Sequence, residues 1–572
     1  MPDLPLLVFG PRSTTYDFGP SHPLTPRRFG PSIDLLRELG AEPGLAPEPA
    51  SVDELLACHT ERYIRVVQRF SEADLDPWAE SEAGIGPGDD PPFHGMHEAG
   101  AMVAGGSLRA MEAILRGDVL HAFHPGGGLH HAMPSRAAGF CIYNDVALAV
   151  ARARADGLRV PYVDLDVHHG DGVEAMFQDD PGVLTISFHE SGRYLFPGTG
   201  FANELGDDVA AGTVVNVPFE PLSGERAWLG AVESIVPSLA AAFGPDIVVS
   251  QHGADTHAWD PLAHLRVTTT AMGAAARLVD RVAHRYAGGR WLATGGGGYD
   301  AYRVVPRSWS HVWLAGAHRE APTETPVAWR DRWASDGARF GQAPPPSTFD
   351  DPPNAGERID DAQRGAEDES IARWAVIRGV VVPRLLVTAN ERGWWSPLDE
   401  SAATADEPAP AVGSSEPTIV ELTTERLERL RLAERVVAPA EPASVHALLS
   451  KALVGLNPAR GVAAVVNDLI VGLAILGPVE RAEESSVLAL GVAPALRGRG
   501  LGTALLSALA DADSGRIVAA SGVAERDPID PLPYANRQQI ARLVMERAGF
   551  AVTLSEGPAA RIDRERLVGT RG

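Results

Sequence analysis

An α/β fold with a mainly parallel sheet flanked by helices, followed by a smaller α+β domain, is what this 572-residue sequence predicts. Three observations carry that expectation. Apolar, strand-like runs alternate with helical patterns up to about residue 315, the rhythm of a parallel sheet. Polar stretches rich in His, Asp and Gly follow several of those runs, where open parallel sheets place their ligands. A segment rich in Ala, Pro, Glu and Ser, residues 396–416, then separates the first pattern from a second, and reads as a flexible linker.

The elements follow in order. Strands are expected at Leu6–Phe9, Ala138–Tyr143, Val160–Val167, Val183–Phe188, Asp246–Ser250 and Trp291–Thr294, with helices at Asp145–Ala155 and Thr269–Ala287. Residues 343–369 are rich in Pro and Asp and read as a loop, followed by a Trp-containing helix from about Glu369 to Trp395. The first domain therefore spans 1–395 and the second 417–572. In the second, Gly461–Val466, Ile470–Leu476 and Ser486–Val492 look like consecutive strands, followed by a glycine-rich turn and a helix.

Composition excludes several classes. The net charge of −25 and the lack of a basic patch argue against nucleic-acid binding. Two cysteines, Cys58 and Cys141, exclude a disulfide framework and fit a reducing cytoplasm. The start Met1-Pro-Asp-Leu-Pro has neither the basic end nor the apolar core of a signal peptide, and no apolar run is long enough to cross a membrane. Lys451 is the only lysine, which fits codon bias in a GC-rich genome or avoidance of self-modification by an enzyme that handles lysine amines.

The densest stretch is Asp164-Leu-Asp-Val-His-His-Gly-Asp171. Alternate strand positions point to one side, so Asp166 and His168 can grip one metal ion with Asp164 beneath them. The run before it is apolar, as in a buried strand, and buried carboxylates need a metal, a hydrogen bond or an opposite charge. Other segments join it. His124-Pro-Gly-Gly-Gly-Leu-His130-His131 supplies adjacent histidines, Gln251-His-Gly-Ala-Asp255 supplies a third carboxylate, and Tyr299 ends a run of four glycines. Together these make the parts of a metal hydrolase. Asp166, His168 and Asp255 are three protein ligands that leave an open position for water. A neighbouring histidine takes the proton, Asp164 and Asp171 orient the histidine pair, and Tyr299 donates to a developing oxyanion.

With these motifs the sequence resembles the histone deacetylase superfamily, most of all its bacterial acetoin-utilisation branch. Tyr16-Asp-Phe-Gly-Pro-Ser-His22-Pro23, Gly139-Phe-Cys-Ile-Tyr-Asn-Asp145 and Phe196-Pro-Gly-Thr-Gly200 complete the match, over roughly residues 5–395. The resemblance implies an arginase/deacetylase-type sheet and zinc at Asp166, His168 and Asp255. It implies His131 as general base, His130 as its electrostatic partner, and Asp164 and Asp171 behind them. It also implies Tyr299 as the carbonyl-polarising residue and Asp89, beside Asp90, as the rim aspartate. Gly139, Phe140 and Phe188 would wall a channel for an acyl-lysine stem, and potassium would sit at Asp164, Asp166, His168, Ser187 and Phe188. His252 stands where many eukaryotic relatives have leucine. Arginases share the fold but need two manganese ions and further Asp and His ligands; Leu165 and Val167 occupy the intervening positions here. Two carboxylates and an imidazole are borderline ligands, so ferrous iron is the alternative to zinc.

The second domain carries Leu496-Arg-Gly-Arg-Gly-Leu-Gly502 between a strand and a helix beginning near Thr503. Backbone N–H groups at such a turn bind phosphates; Gly498, Gly500 and Gly502 permit close approach, and Arg497 and Arg499 add charge. This region resembles the GNAT acetyltransferases, which implies acetyl-CoA binding at Arg497, Gly498, Arg499, Gly500, Gly502, Thr503 and Asn536. Met545 stands where many GNAT enzymes carry the tyrosine that protonates the CoA thiolate. The expected function is hydrolysis of acetyl-lysine on proteins, an acyl-CoA synthetase among them, with a GNAT domain that acetylates amines or regulates. The alternative is hydrolysis of an acetylpolyamine or another small amide, with the GNAT domain as an acetyl-CoA sensor.

Overall fold

The computed structural model describes residues 4–72, 82–206, 210–351, 360–392 and 394, and in the C-terminal part 417–423, 426, 431–432, 460–466, 469–478, 484–492, 501–511, 516–520, 546, 551–555 and 566–571. Two compact units result, Met1–Trp394 and Trp395–Gly572. Residues 396–416 lie outside the described residues. Among the described residues no helix is long and apolar enough to cross a membrane.

The first unit is built on eight parallel strands: β1 (Leu6–Val8), β2 (Pro43–Leu45), β3 (His121–His124), β4 (Val160–Asp164), β5 (Val183–Glu190), β6 (Val214–Phe219), β7 (Val248–Gln251) and β8 (Trp291–Thr294), in the spatial order β2-β1-β3-β8-β7-β4-β5-β6. From β3 to β8 every strand residue is buried. A strand covered on both faces needs no polar alternation, which is why these runs read as continuously apolar. Helices cover both faces, and their starts are encoded locally. Asn144 accepts from the Ala147 N–H at the head of Asp145–Ala155, and Thr268 accepts from Ala271 at the head of Thr269–Tyr286. The order places β3, β8, β7 and β4 side by side, so the loops leaving their carboxyl ends converge.

Three expectations need correction. Residues 138–143 form no strand: Gly139 (φ 54°) and Phe140 (φ 68°) both adopt the left-handed conformation, and one bridge, Ala138 to Cys141, closes a tight turn. The Tyr16 hydroxyl fixes that turn, donating to the Phe140 carbonyl (2.8 Å) and accepting from the Ile142 N–H (2.9 Å). The strand expected to run to Val167 ends at Asp164, so Asp166 and His168 stand in the following loop. Residues 343–369 are not one loop, because a helix already begins at Asp361 and runs to Glu391. It docks through Glu367 on Arg226 (3.0 Å) and Ser370 on Ser223 (2.9 Å).

A buried polar cluster ties the loop after β7 to the two helices that follow. Asp351 accepts from His257 Nε2 (2.8 Å), the Thr269 N–H (2.9 Å) and Arg307 Nη1 (2.7 Å). Arg307 and Asp351 are 0% and 1% exposed.

The second unit holds strands β9 (Thr418–Leu422), β10 (Arg431–Leu432), β11 (Arg460–Val466), β12 (Leu469–Pro478), β13 (Glu484–Val492), β14 (Arg516–Ala520), β15 (Ala551–Ser555) and β16 (Arg566–Arg571). The path β15-β16-β14-β13-β12-β11-β9 is antiparallel except between β13 and β14, with β10 pairing β12 off the path. The parallel pair spans the helix Leu501–Asp511, as a crossover connection requires. Its described register joins the first residues of β13, Glu484–Ser486, to Arg516–Val518.

The Asp351 cluster predicts its own stability signature. Burial alone would raise the carboxyl pKa, but His257 and Arg307 hold it below the ordinary range. Its stabilisation is therefore present above the unfolded-state pKa of about 3.9 and is lost as pH falls below it. Asp351→Ala, which leaves Arg307 buried without its partner, is expected to cost about 3–5 kcal/mol. A lowered urea midpoint for the first unit checks this; an unchanged midpoint contradicts it.

Candidate active site

The four central strands deliver the polar groups. β4 ends at Asp164, whose carboxylate is buried beneath the site. Its Oδ2 accepts from the Tyr162 hydroxyl (2.7 Å) and pairs with His130 Nδ1 (2.7 Å). His131 Nδ1 pairs in the same way with Asp171 Oδ1 (2.7 Å), and the two histidines meet through their Nε2 atoms at 3.1 Å. Asp145 holds the glycine loop ahead of them, accepting from the Gly128 and Leu129 N–H groups (3.1 and 2.8 Å). Asn144 grips the His130 and Ala132 carbonyls, both at 3.1 Å. The pair is therefore locked from the backbone side as well as through its rings.

The electrostatics divide the pair. Burial works to lower the His130 pKa, but Asp164 and Asp166 outweigh it and raise the value to about 9. Burial and the charge of His130 lower His131 to about 4, against the upward pull of Asp171. These shifts favour the charged form of His130 and the neutral form of His131, whose Nδ1 faces Asp171. Two adjacent, similar residues receive opposite protonation states because only one lies beside a pair of carboxylates.

Next to this pair lie Asp166, His168 and Asp255, with one possible ligand atom from each within 4.8 Å of the others. His168 Nδ1 is 3.0 Å from Asp166 Oδ1 and 3.2 Å from Asp255 Oδ2. The neighbours aim the carboxylates. Gln251 Nε2 (2.6 Å) and the Gly297 N–H (2.8 Å) donate to Asp166 Oδ2, and the Val167 N–H donates to Asp255 Oδ1 (3.0 Å). Asp255 Oδ2, although buried, makes no hydrogen bond of good geometry. Such an oxygen needs a cation, and two carboxylates with an imidazole are a donor set for one. The cradle admits no side chain: a Cβ on Gly297 would lie 1.9 Å from Asp255 Oδ2 and 2.9 Å from Asp166 Oδ2. Glycine at 297 is thus required by the close approach of the carboxylates rather than by a turn alone.

Tyr299 follows that glycine run. Its N–H donates to Asp260 Oδ2 (2.8 Å), and buried Arg28 clamps the run through the Gly296 carbonyl (2.7 Å). Burial and the nearby Asp255 and Asp166 raise the Tyr299 pKa, so its phenol keeps its proton. The Phe140 ring stands 6.0 Å from the Tyr299 ring at 82°, and Gly139 underlies His131. On the opposite side the structure departs from expectation. Phe188 is 0% exposed, inside doubly covered β5, and faces no opening. The aromatic beside the histidines is Phe196, 41% exposed, with its ring 5.0 Å from His131 and 6.4 Å from His168. Its signal lay in the Phe196-Pro-Gly-Thr-Gly200 turn, but nothing in the residue pattern shows that this turn folds back over the pair.

At the rim, Asp89 is exposed, and its carbonyl lies 3.0 Å from His22 Nε2. Asp90 is buried, and burial with its neighbour Asp89 raises its pKa. Of the two, Asp89 is the carboxylate that faces solvent. Ser187 pairs in register with Asp164. His252 is a packing residue: its Nε2 meets Ser250 Oγ (2.8 Å), which accepts from Trp291 (2.7 Å). In the second unit Gly502 and Thr503 fall in the first turn of the helix Leu501–Asp511. Arg497, Gly498, Arg499, Gly500, Asn536 and Met545 lie outside the described residues.

The model of the histone deacetylase domain matches residues 22–315. The chain belongs to the histone deacetylase family. Over 382 residues it is 40% identical to the acetoin utilization protein AcuC of Bacillus subtilis (strain 168), covering 65% of this chain and 97% of the relative. It is 36% identical over 331 residues to AcuC of Staphylococcus xylosus, covering 57% and 86%. Two crystal structures align with 27% identity and a TM-score of 0.55, covering 64% of this chain and all of theirs: an HDAC homolog from Aquifex aeolicus and an HDAC homolog complexed with SAHA. Residues 425–520 match the acetyltransferase (GNAT) family. This histone deacetylase-family chain is thus an AcuC-like deacetylase, of a family that implies a metal ion, joined to a GNAT domain, which implies acetyl-CoA.

The cradle generates a direct prediction. Gly297→Ala is expected to abolish deacetylation and loosen the metal at Asp166, His168 and Asp255 while leaving the unfolding free energy of the first unit within about 2 kcal/mol of the parent, as for a local steric change. Retention of both activity and metal would show that the carboxylates do not converge as described.

Proposed function

We propose that the first unit hydrolyses acetyl-lysine amides on proteins, releasing acetate, with zinc held by Asp166, His168 and Asp255. One observation carries this reading: a histidine pair of opposed protonation, each ring backed by its own carboxylate, beside three buried ligands that converge on one point. The bound ion supplies Lewis acidity to the amide carbonyl and acidifies a water molecule.

The residues of the chain do the rest. His131, neutral at working pH, accepts the proton of the attacking water at Nε2 and returns it to the leaving lysine amine. Asp171 keeps the proton of that ring on Nδ1, so that Nε2, which the His130 ring approaches to 3.1 Å, carries the lone pair that takes up the proton. His130 holds a positive charge over the site and stabilises the anionic adduct. Tyr299 donates its phenolic proton in a hydrogen bond to the oxygen where charge develops. Phe140 and Phe196 border the approach to His131 and suit the apolar stem of an acyl-lysine, while exposed Asp89 is placed to accept the substrate backbone N–H groups. Asp164 and Ser187 belong to the same proposal as part of a potassium site. The family resemblance points to an acyl-CoA synthetase acetylated on lysine as one such protein.

For the second unit, the helix Leu501–Asp511 between the parallel strands supports acetyl-CoA binding at its amino end, with Gly502 and Thr503 against the pyrophosphate. Met545 has no proton to give a thiolate, which favours a sensor of acetyl-CoA over a transferase.

Two measurements check these roles. His131→Ala and Tyr299→Phe are each expected to lower kcat/KM for an acetyl-lysine peptide by about 10²-fold or more. Parent-level turnover in either variant would remove the assigned role. Calorimetry of the full chain with acetyl-CoA is expected to show binding, with no acetylation of amine substrates. Amine acetylation would make the unit an enzyme, and absence of binding would discard the acetyl-CoA site.

A further inference from the structure

At the other end of the sheet a second set of ligand-type side chains converges. His121 opens β3, whose far end leads to the active-site loop. Asp280 and His284 lie one turn apart on the helix Thr269–Tyr286, and His318 follows the helix Val305–Gly316. One ligand atom from each of the four lies within 4.8 Å of the others. Asp280 Oδ1 stands 3.5 Å from His121 Nε2, 3.6 Å from His284 Nε2 and 3.3 Å from His318 Nε2, and His284 and His318 face each other at 3.1 Å.

These separations have a geometric meaning. Ligand bonds of about 2.0–2.1 Å in a tetrahedron give ligand–ligand edges of about 3.3 Å. The four observed edges, 3.1–3.6 Å, bracket that length. Hydrogen bonding explains the cluster poorly. One carboxylate oxygen faces three imidazoles, and His121, 4% exposed, makes no ring hydrogen bond of good geometry, with the Gly316 carbonyl and Asp280 as its polar neighbours. Buried polar atoms in that state call for a water or an ion, and the short edges between four ligand-type groups favour an ion.

The backbone supplies an independent sign. His318 occupies the position after a helix end that commonly belongs to glycine, with φ 53° and the following N–H of Arg319 bonded to the Leu314 carbonyl (3.0 Å). A histidine in the left-handed region is held there at a conformational cost. The cost makes sense if the ring is needed where that conformation puts it.

We propose that His121, Asp280, His284 and His318 form a second, structural metal site that takes zinc. Three imidazoles and one carboxylate complete a tetrahedron and leave no open position, so the site binds without catalysing. It clamps the start of β3 to the two helices that flank it. Side chains of His284 and His318 are 39% and 44% exposed, which gives the ion a path from solvent.

Metal analysis of the full, untagged chain, equilibrated with zinc and desalted, tests this. The parent is expected to hold two zinc ions per chain, and His284→Ala and His318→Gly one each, both still active on an acetyl-lysine peptide. His318→Gly places the preferred residue at the helix end, so loss of metal there cannot be assigned to misfolding. His168→Ala should lose the other ion and all activity. If both peripheral variants hold as much zinc as the parent, the second site is overturned while the catalytic assignment stands. If His168→Ala retains the parent's zinc and only the peripheral variants lose it, the second site stands and the catalytic assignment falls.

Discussion

Burial of carboxylates at the carboxyl ends of the central strands is the constraint around which the first unit is arranged. Asp164, Asp166 and Asp255 are 0–1% exposed. An ionised carboxylate without compensation costs several kcal/mol in such surroundings. Its neighbours compensate in three different ways. Asp164 is neutralised by the His130 imidazolium and the Tyr162 hydroxyl, and Asp166 is held by Gln251 and the Gly297 N–H. Asp255 keeps one oxygen without a bond. That oxygen, with His168 Nδ1 3.2 Å away, is the basis on which we propose a cation site here. The same negative charge raises the His130 pKa, while burial, together with His130, lowers that of His131.

The scaffold explains why this concentration of charge is tolerated. β4, β7 and β8 are covered on both faces and rigid, so the loops leaving them start from fixed points. Gly297 lets backbone approach the carboxylates where a side chain would collide, and Gly296 and Gly298 do the same against Gln251 and Ala254. Arg28 holds this run from the far side of the chain. Stability is placed elsewhere: the Asp351 cluster joins a loop and two helices well away in sequence from the histidine pair.

Much of this was legible in the residues. The buried parallel strands announce themselves by unbroken apolar runs, and the helices by Asn144 and Thr268 at their starts. The proposed ligand set is legible because Asp166, His168 and Asp255 follow strands, although the alternation argument placed two of them on β4 when they stand just past it. The errors have a common cause. Residues 138–143 have strand-forming composition, but a hydroxyl from Tyr16, more than a hundred positions away, closes them into a turn. Phe188 and Phe196 are equally aromatic, and only the fold shows that one is sealed in β5 while the other lies over His131. The His121 cluster was invisible for the same reason, since its four members come from three separated elements and no local spacing unites them.

The proposed mechanism depends on an ion held by Asp166, His168 and Asp255 beside His131. X-ray anomalous scattering from crystals of the active protein, recorded on either side of the zinc absorption edge, tests it most directly. A peak bounded by Asp166, His168 and Asp255, and lost with activity on chelation, is the predicted result. An active crystal with no peak between those residues would contradict the account.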